Sequence, residues 1–344
     1  MRAAIPAGAR LAAAALLAGL LAAPAGAQDV KSFYAGRSIN LIISTGAGGG
    51  LDANARLVAR HMGRHIPGQP SIVPRNMPGA GHLAATNFMY NQAPRDGSHI
   101  AAILPSFILY KLIDGKGAQY DSARFNWIGS SDVDNMNVYV WSAAPVKSFA
   151  DVKTTEILMG GTGAGSYTVL FPTLMNNLLG AKFKIVPGYK STNEVHIAME
   201  RGEVQGRAGN FFSSLRSTNA DWLRDGKITL IAQIGERRDP DFPDVPLLQD
   251  LTQDADAKRI LRLFSAEIAM GRAMLTTPDT PPDRLAALRA AFDETMKDPA
   301  FLAEAKQAGM PVRPLGAAEL SAIAQEIAST PKQLIERAAA ARDR

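Results

Sequence analysis

Three glycine-rich segments in this chain each lie between a short apolar run and a run with helical spacing. They are residues 45–50, 76–81 and 160–166. Before the first lies the apolar run 38–44, and after it four apolar residues recur at spacings of four, three and four, as one face of a helix requires: Leu51, Ala55, Val58 and Met62. Strand, glycine turn and helix in this order form the unit of mostly parallel sheets flanked by helices. The sequence therefore predicts an α/β fold.

Further elements follow the same alternation. Strands are predicted near residues 71–73, 100–104, 156–159, 183–186 and 228–233, and helices near 169–179 and 193–201. The proline-rich segment 239–246 cannot continue a helix or a central strand, so it is predicted to be an extended crossover between domains. Near the C-terminus, helices are predicted after Pro282 and Pro299, and a last helix carries Leu320, Ile323, Ile327 and Ile335.

The composition limits the functional class. The chain has 344 residues, of which 47% are hydrophobic and 20% charged, so it is predicted to be globular with two domains. Lys and Arg number 37 and Asp and Glu 32, a net charge of +5, which is too small to indicate a nucleic-acid-binding protein. The absence of cysteine excludes disulfides, Cys-ligated zinc and a thiol nucleophile.

Residues 1–27 have the pattern of an export signal. Arg2 and Arg10 precede an apolar run at 11–21, and Ala25-Gly26-Ala27 gives an A-x-A cleavage site. The run is shorter than the roughly 20 residues that span a bilayer, so a cleaved signal is favoured over a permanent anchor. We therefore predict cleavage after Ala27 and a mature protein that is soluble outside the cytoplasm.

Catalytic and metal-binding motifs are poorly matched. His61 and His65 lie one helical turn apart, but Met62 stands where the zinc motif H-E-x-x-H has glutamate, so surface histidines are the favoured interpretation. Ser166 follows a glycine loop, yet the chain has no G-x-S-x-G motif. No metal site and no serine hydrolase is predicted.

A dinucleotide-binding loop is also disfavoured. Residues 79–84 fit the G-x-G-x-x-A spacing, but Pro74 and Pro78 crowd the approach to the turn. The acidic residue expected about 20 positions further along is absent. No cofactor is predicted.

The glycine loops share a different property. At a helix N-terminus, glycine lets a ligand approach the backbone, unpaired N–H groups point outward, and the helix dipole favours an anion. Two such loops facing each other across a cleft could hold the two ends of a small acid. The alternative is that the glycines only permit tight turns and close packing.

Several motifs in order resemble the Bug family of extracytoplasmic receptors, the solute-binding components of tripartite tricarboxylate transporters. Residues 42–52 resemble the first ligand loop of that family, and residues 76–81 resemble its N-x-P-G-A-G element. Weaker matches follow in the family's order: Ala93-Pro94 with Asp96-Gly97, Tyr120-Asp121, Val186-Pro187 with Tyr189-Lys190, Gly202 with Val204, Pro243 to Leu247, and Asp298-Pro299 with Gly309.

The resemblance implies a type II periplasmic-binding-protein fold with two α/β lobes, two crossovers and a ligand between them. We expect lobe 1 to comprise residues 28–127 and 246–344, and lobe 2 residues 128–245. The resemblance implies a site of backbone amides with Asp52 ordering the first helix. The expected ligand-binding residues are Ser44, Thr45, Gly46, Ala47, Gly48, Gly49, Asp52, Gly161, Thr162, Gly163, Ala164, Gly165, Ser166, Tyr167, Arg207 and Asn210.

The chain departs from the family where a strand usually reads V-D-V-x-F-D-N. Here residues 204–210 place Gly209 where an aspartate often helps to position the solute, and they include an unusual Arg207. A buried strand does not readily hold an unpaired guanidinium. Arg207 either faces the cleft and pairs with the solute, or forms an internal salt bridge or reaches solvent.

We therefore expect a monomeric, non-enzymatic receptor. It would capture a mono-, di- or tricarboxylate and deliver it to integral-membrane transporter subunits. The alternative is a secreted α/β enzyme that acts on a small carboxylic acid.

Overall fold

Two β-sheets, each flanked by helices, form two lobes. The computed structural model describes residues 30–163 and 166–343, so the predicted signal peptide at 1–27 lies outside the described residues. In spatial order the first sheet contains β11 (Leu315–Gly316), β4 (Asn126–Ser130), β10 (Ala273–Thr276), β3 (His99–Ala102), β1 (Ser38–Ile43) and β2 (Ser71–Asn76). The second contains β7 (Phe183–Val186), β6 (Ile157–Gly160), β8 (Gly206–Phe211), β5 (Met136–Trp141) and β9 (Ile228–Ile234). The predicted α/β fold is confirmed.

Thirteen helices are found in the described part of the chain. They are α1 (Val30–Tyr34), α2 (Gly50–Met62), α3 (Leu83–Asn91), α4 (Phe107–Ile113), α5 (Tyr167–Leu179), α6 (Thr192–Glu200), α7 (Phe212–Thr218), α8 (Ala220–Arg224), α9 (Ala255–Ala266), α10 (Pro282–Lys297), α11 (Pro299–Gln307), α12 (Ala317–Ala328) and α13 (Lys332–Asp343). None of these helices combines the length and the apolar character needed to cross a membrane.

The strands of each sheet run mostly in one direction, as predicted. In the first sheet β1 to β4 share a direction, and β10 lies antiparallel between β3 and β4. In the second, β6 to β9 share a direction, and β5 is antiparallel to its neighbours β8 and β9. Both β5 and β10 are the first strands that the chain forms after it passes from one sheet to the other.

The chain passes between the sheets twice, after β4 and after β9. Strand β4 continues beyond the lobe boundary expected at residues 127/128, because its residues up to Ser130 pair with β10. We propose that lobe 1 extends to Ser130 and otherwise keep the expected division. The second connection is held by the buried side chain of Gln233, which donates to the carbonyls of Phe242 (3.1 Å) and Val245 (2.7 Å) and accepts from the Asp239 nitrogen (2.8 Å).

The C-terminal helix α13 packs against helices of both lobes. The Asn177 side chain on α5 donates to the Ala341 carbonyl at 2.7 Å, and Arg342 forms an ion pair with Asp114 beside α4 at 3.1 Å. The prediction of a single last helix is wrong, because the structure has two helices there, α12 and α13. Helix α12 ends before Pro331, which has no N–H to continue the helical hydrogen bonds.

Candidate functional site

A cavity of about 40 Å³ lies between the two lobes, with room for only a few water molecules. Its walls come from segments that follow the carboxyl ends of β1, β2, β3, β6 and β7, and from β8 itself, the edge where ligands bind in open α/β sheets. The first lobe contributes Ser44, Thr45, Pro78, Gly79, Gly81, His82 and Leu104. The second contributes Thr162, Ser166, Tyr167, Thr168, Lys190, Ser191, Thr192, Arg207 and Gly209.

Only the beginning of the first glycine loop reaches the cavity. Ser44 and Thr45 line it, and the Thr45 hydroxyl is buried without a hydrogen-bond partner among the described residues. The Gly46 nitrogen donates to the Lys190 carbonyl of the other lobe at 3.2 Å, and the Gly48 nitrogen donates to Asp52 Oδ2 at 2.9 Å. Two amides expected to hold the solute therefore have protein partners.

Asp52 lies outside the cavity wall and organises the loop. Its carboxylate also accepts from Arg56 Nε at 2.9 Å and from Asn76 Nδ2 at 2.8 Å. Since the same Asn76 amide donates to the Thr45 carbonyl at 2.9 Å, Asp52 ties the first two glycine segments together.

The rest of the first loop packs against the second lobe. Ala47 and Gly49 are not part of the cavity wall. A Cβ on Gly49 would lie 2.5 Å from Thr192 Oγ1, and one on Gly50 would lie 2.0 Å from Ser214 Oγ. Glycine at these positions permits close contact between the lobes, which is a different role from admitting a ligand.

The glycine segment 160–166 brings two expected side chains to the cavity, those of Thr162 and Ser166. The Thr162 nitrogen donates to Thr168 Oγ1 at 2.8 Å, and the Ser166 hydroxyl donates to the Gly163 carbonyl at 2.8 Å. The Gly161 nitrogen is bonded to the Val186 carbonyl at 2.9 Å. The expected residues Ala164 and Gly165 lie outside the described residues.

Gly163 of the second lobe lies against the backbone of Ala80 and Gly81 in the first lobe. A Cβ there would lie 2.8 Å from the Gly81 nitrogen, closer than a side-chain carbon can come to backbone.

Gly163→Ala should therefore hinder closure of the lobes. Overpacking of this kind costs about 1–3 kcal/mol, and solute affinity should fall by the same free energy if only the closed form binds tightly. Calorimetry would measure the affinity. Small-angle scattering would measure the radius of gyration, which should be larger in the variant than in the wild type. Gly316→Ala is the control, because the φ of −74° there is ordinary and a Cβ would come no closer than 3.6 Å to Glu319 Oε2. Equal affinities for the two variants would contradict this role.

The glycine segment 76–81 is followed by a histidine that the sequence analysis did not single out. His82 is buried, and its Nδ1 lies 3.0 Å from Ser44 Oγ and 3.2 Å from the Ser44 carbonyl. Burial lowers the pKa of His82 to about 4, so the imidazole is neutral at pH 7. The available signal was its place directly after Gly79-Ala80-Gly81, the segment that resembles a family motif.

Tyr167 extends from the cavity wall to the opposite lobe. Its hydroxyl donates to Glu267 Oε2 at 3.3 Å, and Glu267 Oε1 accepts from the Leu109 nitrogen at 2.9 Å. Glu267 is fully buried, and burial raises its pKa to about 8. The glycine at 209 has a local explanation, since a Cβ there would lie 2.7 Å from the Cβ of Tyr167.

Arg207 lines the cavity and is 0% exposed. Its Nη1 lies 3.1 Å from His196 Nε2, while Nε and Nη2 have no hydrogen-bond partner among the described residues. Burial lowers the pKa of Arg207, the direction expected when a cation loses solvent. Arg207 forms no ion pair with any acidic residue that the structure describes, and it has no contact with solvent.

Asn210 lies on the same strand but is not part of the cavity wall. It pairs in register with Asn137 of β5. Among the described residues its buried Nδ2 has no hydrogen-bond partner.

A second turn of the other lobe was missed by the sequence analysis. Lys190, Ser191 and Thr192 line the cavity where β7 leads into α6. Ser191 caps that helix by accepting from the Glu194 nitrogen at 3.3 Å. The pattern S-x-x-E directly after a predicted strand was the signal that could have placed this turn at the cleft.

Comparison with known proteins identifies the family. A family model described as the tripartite tricarboxylate transporter family receptor, TctC, matches residues 54–339. The chain belongs to this family. A UPF0065 protein of Cupriavidus necator is 30% identical over 250 residues, which cover 70% of this chain and 72% of that protein. The resemblance identified from the sequence motifs is thereby confirmed.

Solved structures of such receptors share the two-lobed fold. The periplasmic binding protein BugD has a TM-score of 0.72 at 21% identity, covering 89% of this chain and 98% of BugD. MatC from Rhodopseudomonas palustris, solved with bound malate, has a TM-score of 0.67 at 19% identity, covering 87% of this chain and 99% of MatC. The family model describes a transporter receptor, so this chain belongs to a receptor class rather than to an enzyme class.

Proposed function

We propose that this receptor captures a small organic acid between its lobes and delivers it to integral-membrane transporter subunits. The observation that carries the proposal is Arg207, a residue of the cavity wall whose buried guanidinium has no acidic partner among the described residues. A buried cation is costly unless it is paired and hydrogen-bonded. A carboxylate of the solute would supply the missing charge and accept from the unbonded Nε and Nη2 atoms.

The remainder of the cavity favours an anion as well. The N-termini of α5 and α6 contribute Ser166 to Thr168 and Ser191 to Thr192 to its wall, and helix N-termini attract negative charge. Thr45 Oγ1 has no partner among the described residues and can bond a second polar group of the solute. Malate, bound by the structural relative MatC, has carboxylates at two ends, which would match donors in both lobes, although the lobes must open to admit a solute of this size.

The finer parts of the proposal follow from the motifs. We expect a signal peptide cleaved after Ala27, a monomeric receptor in the periplasm and no cofactor. Transporter subunits in the membrane are the expected partners, in keeping with the description of the family.

Thermal-shift and calorimetric titrations against succinate, malate, adipate, citrate and benzoate would test this function. Binding of at least one acid should raise the melting temperature by mass action, without chemical change of the acid. Product detected by mass spectrometry after incubation would favour the alternative, a secreted enzyme. Failure of every acid to bind, with a folded sample, would contradict the receptor proposal.

The charge of the cavity predicts discrimination against amino acids. No acidic side chain is among the described residues that line it, and Gly209 stands where the family often has an aspartate. An ammonium group would therefore be buried beside Arg207 without a counter-ion. Aspartate should bind at least about tenfold more weakly than succinate, a difference of about 1.4 kcal/mol, in parallel titrations. Equal affinities would indicate a hidden acidic contact.

A further inference from the structure

Behind Arg207 lies a histidine that does not line the cavity. His196 on α6 places its Nε2 3.1 Å from Arg207 Nη1 and 2.8 Å from the Tyr139 hydroxyl. Tyr139 and Arg207 are fully buried and His196 nearly so, which makes this a hydrogen-bonded cluster without solvent.

The donors around the imidazole determine its protonation. A guanidinium has only donors, so the contact with Arg207 is a hydrogen bond only when Nε2 accepts and carries no proton. Burial and the charge of Arg207 both lower the pKa of His196 well below its usual value, in agreement with a neutral ring. With Nε2 accepting from Arg207, the single proton of the neutral ring is on Nδ1.

Aromatic packing fixes the orientation of the ring. The Trp222 ring lies edge-on to it, with centroids 4.9 Å apart, and Trp222 also packs edge-on against Tyr139. The neutral imidazole of His196 therefore accepts a hydrogen bond from one side of the guanidinium without neutralising its positive charge. A carboxylate at the position of His196 would instead neutralise Arg207 from inside the protein.

We propose that His196, supported by Tyr139 and Trp222, is the positioning residue for Arg207. It holds Nη1 so that Nε and Nη2 remain available to a carboxylate of the solute, and it makes this end of the cleft specific for an anion. The proposal rests on the proposed function for its consequence in binding, but the contact itself can be tested without a ligand. Held groups of this kind lose less conformational entropy on binding than mobile ones.

The ligand-free test is ¹⁵N NMR of the histidine rings in the full-length receptor. The signals missing from His196→Gln would identify His196 among the five histidines. The proposal predicts a neutral ring with its proton on Nδ1 at pH 7. A proton on Nε2 would overturn the proposal, because Arg207 could then not donate to that atom.

The binding test compares His196→Leu with His196→Gln, whose amide oxygen can still accept from Arg207. The probes are the tightest-binding acid of the panel and its amide, in which the carboxylate is replaced. His196→Leu should lose about tenfold or more in affinity for the acid and should discriminate less against the amide, as for other supporting residues of a site. His196→Gln should restore both.

Two results separate the failure of this inference from failure of the proposed function. If the wild type binds no acid, the proposed function is wrong. The NMR result would still show whether His196 Nε2 accepts a hydrogen bond from Arg207. If the wild type binds an acid and His196→Leu binds it equally well, the receptor function stands and the positioning role is rejected. His99→Leu, on the first sheet and outside the cavity wall, controls for loss of a histidine ring.

Discussion

Arg207→Met is expected to weaken solute binding and to stabilise the ligand-free receptor at the same time. Removing one member of a buried charged pair costs binding about 2–5 kcal/mol, which is roughly a 30- to 5,000-fold increase in Kd. Without a ligand the guanidinium is a buried cation with no acidic partner among the described residues, so an apolar side chain should raise the free energy of unfolding by about 1–4 kcal/mol. Calorimetric titration and urea unfolding would measure the two effects.

Arg272→Met is a matched control for the stability effect. Arg272 is also buried, but it lies 4.0 Å from the Asp132 carboxylate and donates to Ser213 Oγ (2.9 Å), Ser214 Oγ (2.6 Å) and the Gly50 carbonyl (2.8 Å). Its removal takes a positive charge away from the buried Asp132 carboxylate, so the free energy of unfolding should fall by about 3–5 kcal/mol. If Arg207→Met destabilised the ligand-free receptor equally, Arg207 would have a structural role, and unchanged solute affinity would reject it as the anchor.

Glu267→Gln is expected to change how stability depends on pH. The pKa of Glu267 is raised from 4.5 to about 8 by burial, so the folded protein keeps a proton that the unfolded chain releases between these values. Since the folded state binds more protons there, the stability of the wild type falls as pH rises towards 8. Glutamine is neutral throughout and can retain the hydrogen bond from the Leu109 nitrogen.

The variant should therefore gain stability relative to the wild type by about 1 kcal/mol per pH unit between pH 5 and pH 7. Urea unfolding of both proteins at each pH would give the difference. Glu304→Gln is the control of opposite sign, because hydrogen bonds from His61 and Arg60 lower the pKa of Glu304. The ionised Glu304 stabilises the folded wild type relative to Glu304→Gln, and this difference in stability should shrink as the pH falls. A difference between wild type and Glu267→Gln that does not change with pH would mean that Glu267 is ionised in the folded state.

Local patterns in the sequence were sufficient for much of the fold. The glycine segments, the strands on either side of the cleft and the helices after Pro282 and Pro299 follow from apolar spacing and proline chemistry. Strands β5 and β10 were missed because their pairing depends on where the chain enters each sheet after a crossover, which no local pattern encodes. The division of the last helix was missed because Leu320, Ile327 and Ile335 kept a helical spacing across Pro331.

The site could be predicted only in part, because its loops are completed by the opposite lobe. The sequence placed Ser44, Thr45, Thr162, Ser166 and Tyr167 near the cleft, and all of them line the cavity. It could not predict that the Gly46 nitrogen would be bonded to the Lys190 carbonyl or that Gly163 would lie against Gly81, since both contacts join segments far apart in sequence.

A single residue that departs from the family's strand pattern was more informative about the site than the glycine segments. An arginine on a predicted buried strand required an explanation, and its position at residue 207 is the feature on which the proposed function rests. His196 had no comparable signal, because a histidine on an amphipathic helix is ordinary in sequence and only the neighbouring strand gives it a partner.

The most direct test of solute capture at Arg207 is a crystal structure of the receptor with the acid that binds most tightly in the panel. The account predicts the acid between the lobes, with carboxylate oxygens within hydrogen-bond distance of Arg207 Nε and Nη2 and a further contact to Ser44, Thr45 or the segment 79–82 of the first lobe. An acid bound elsewhere, or bound in the cleft with Arg207 unpaired, would contradict it.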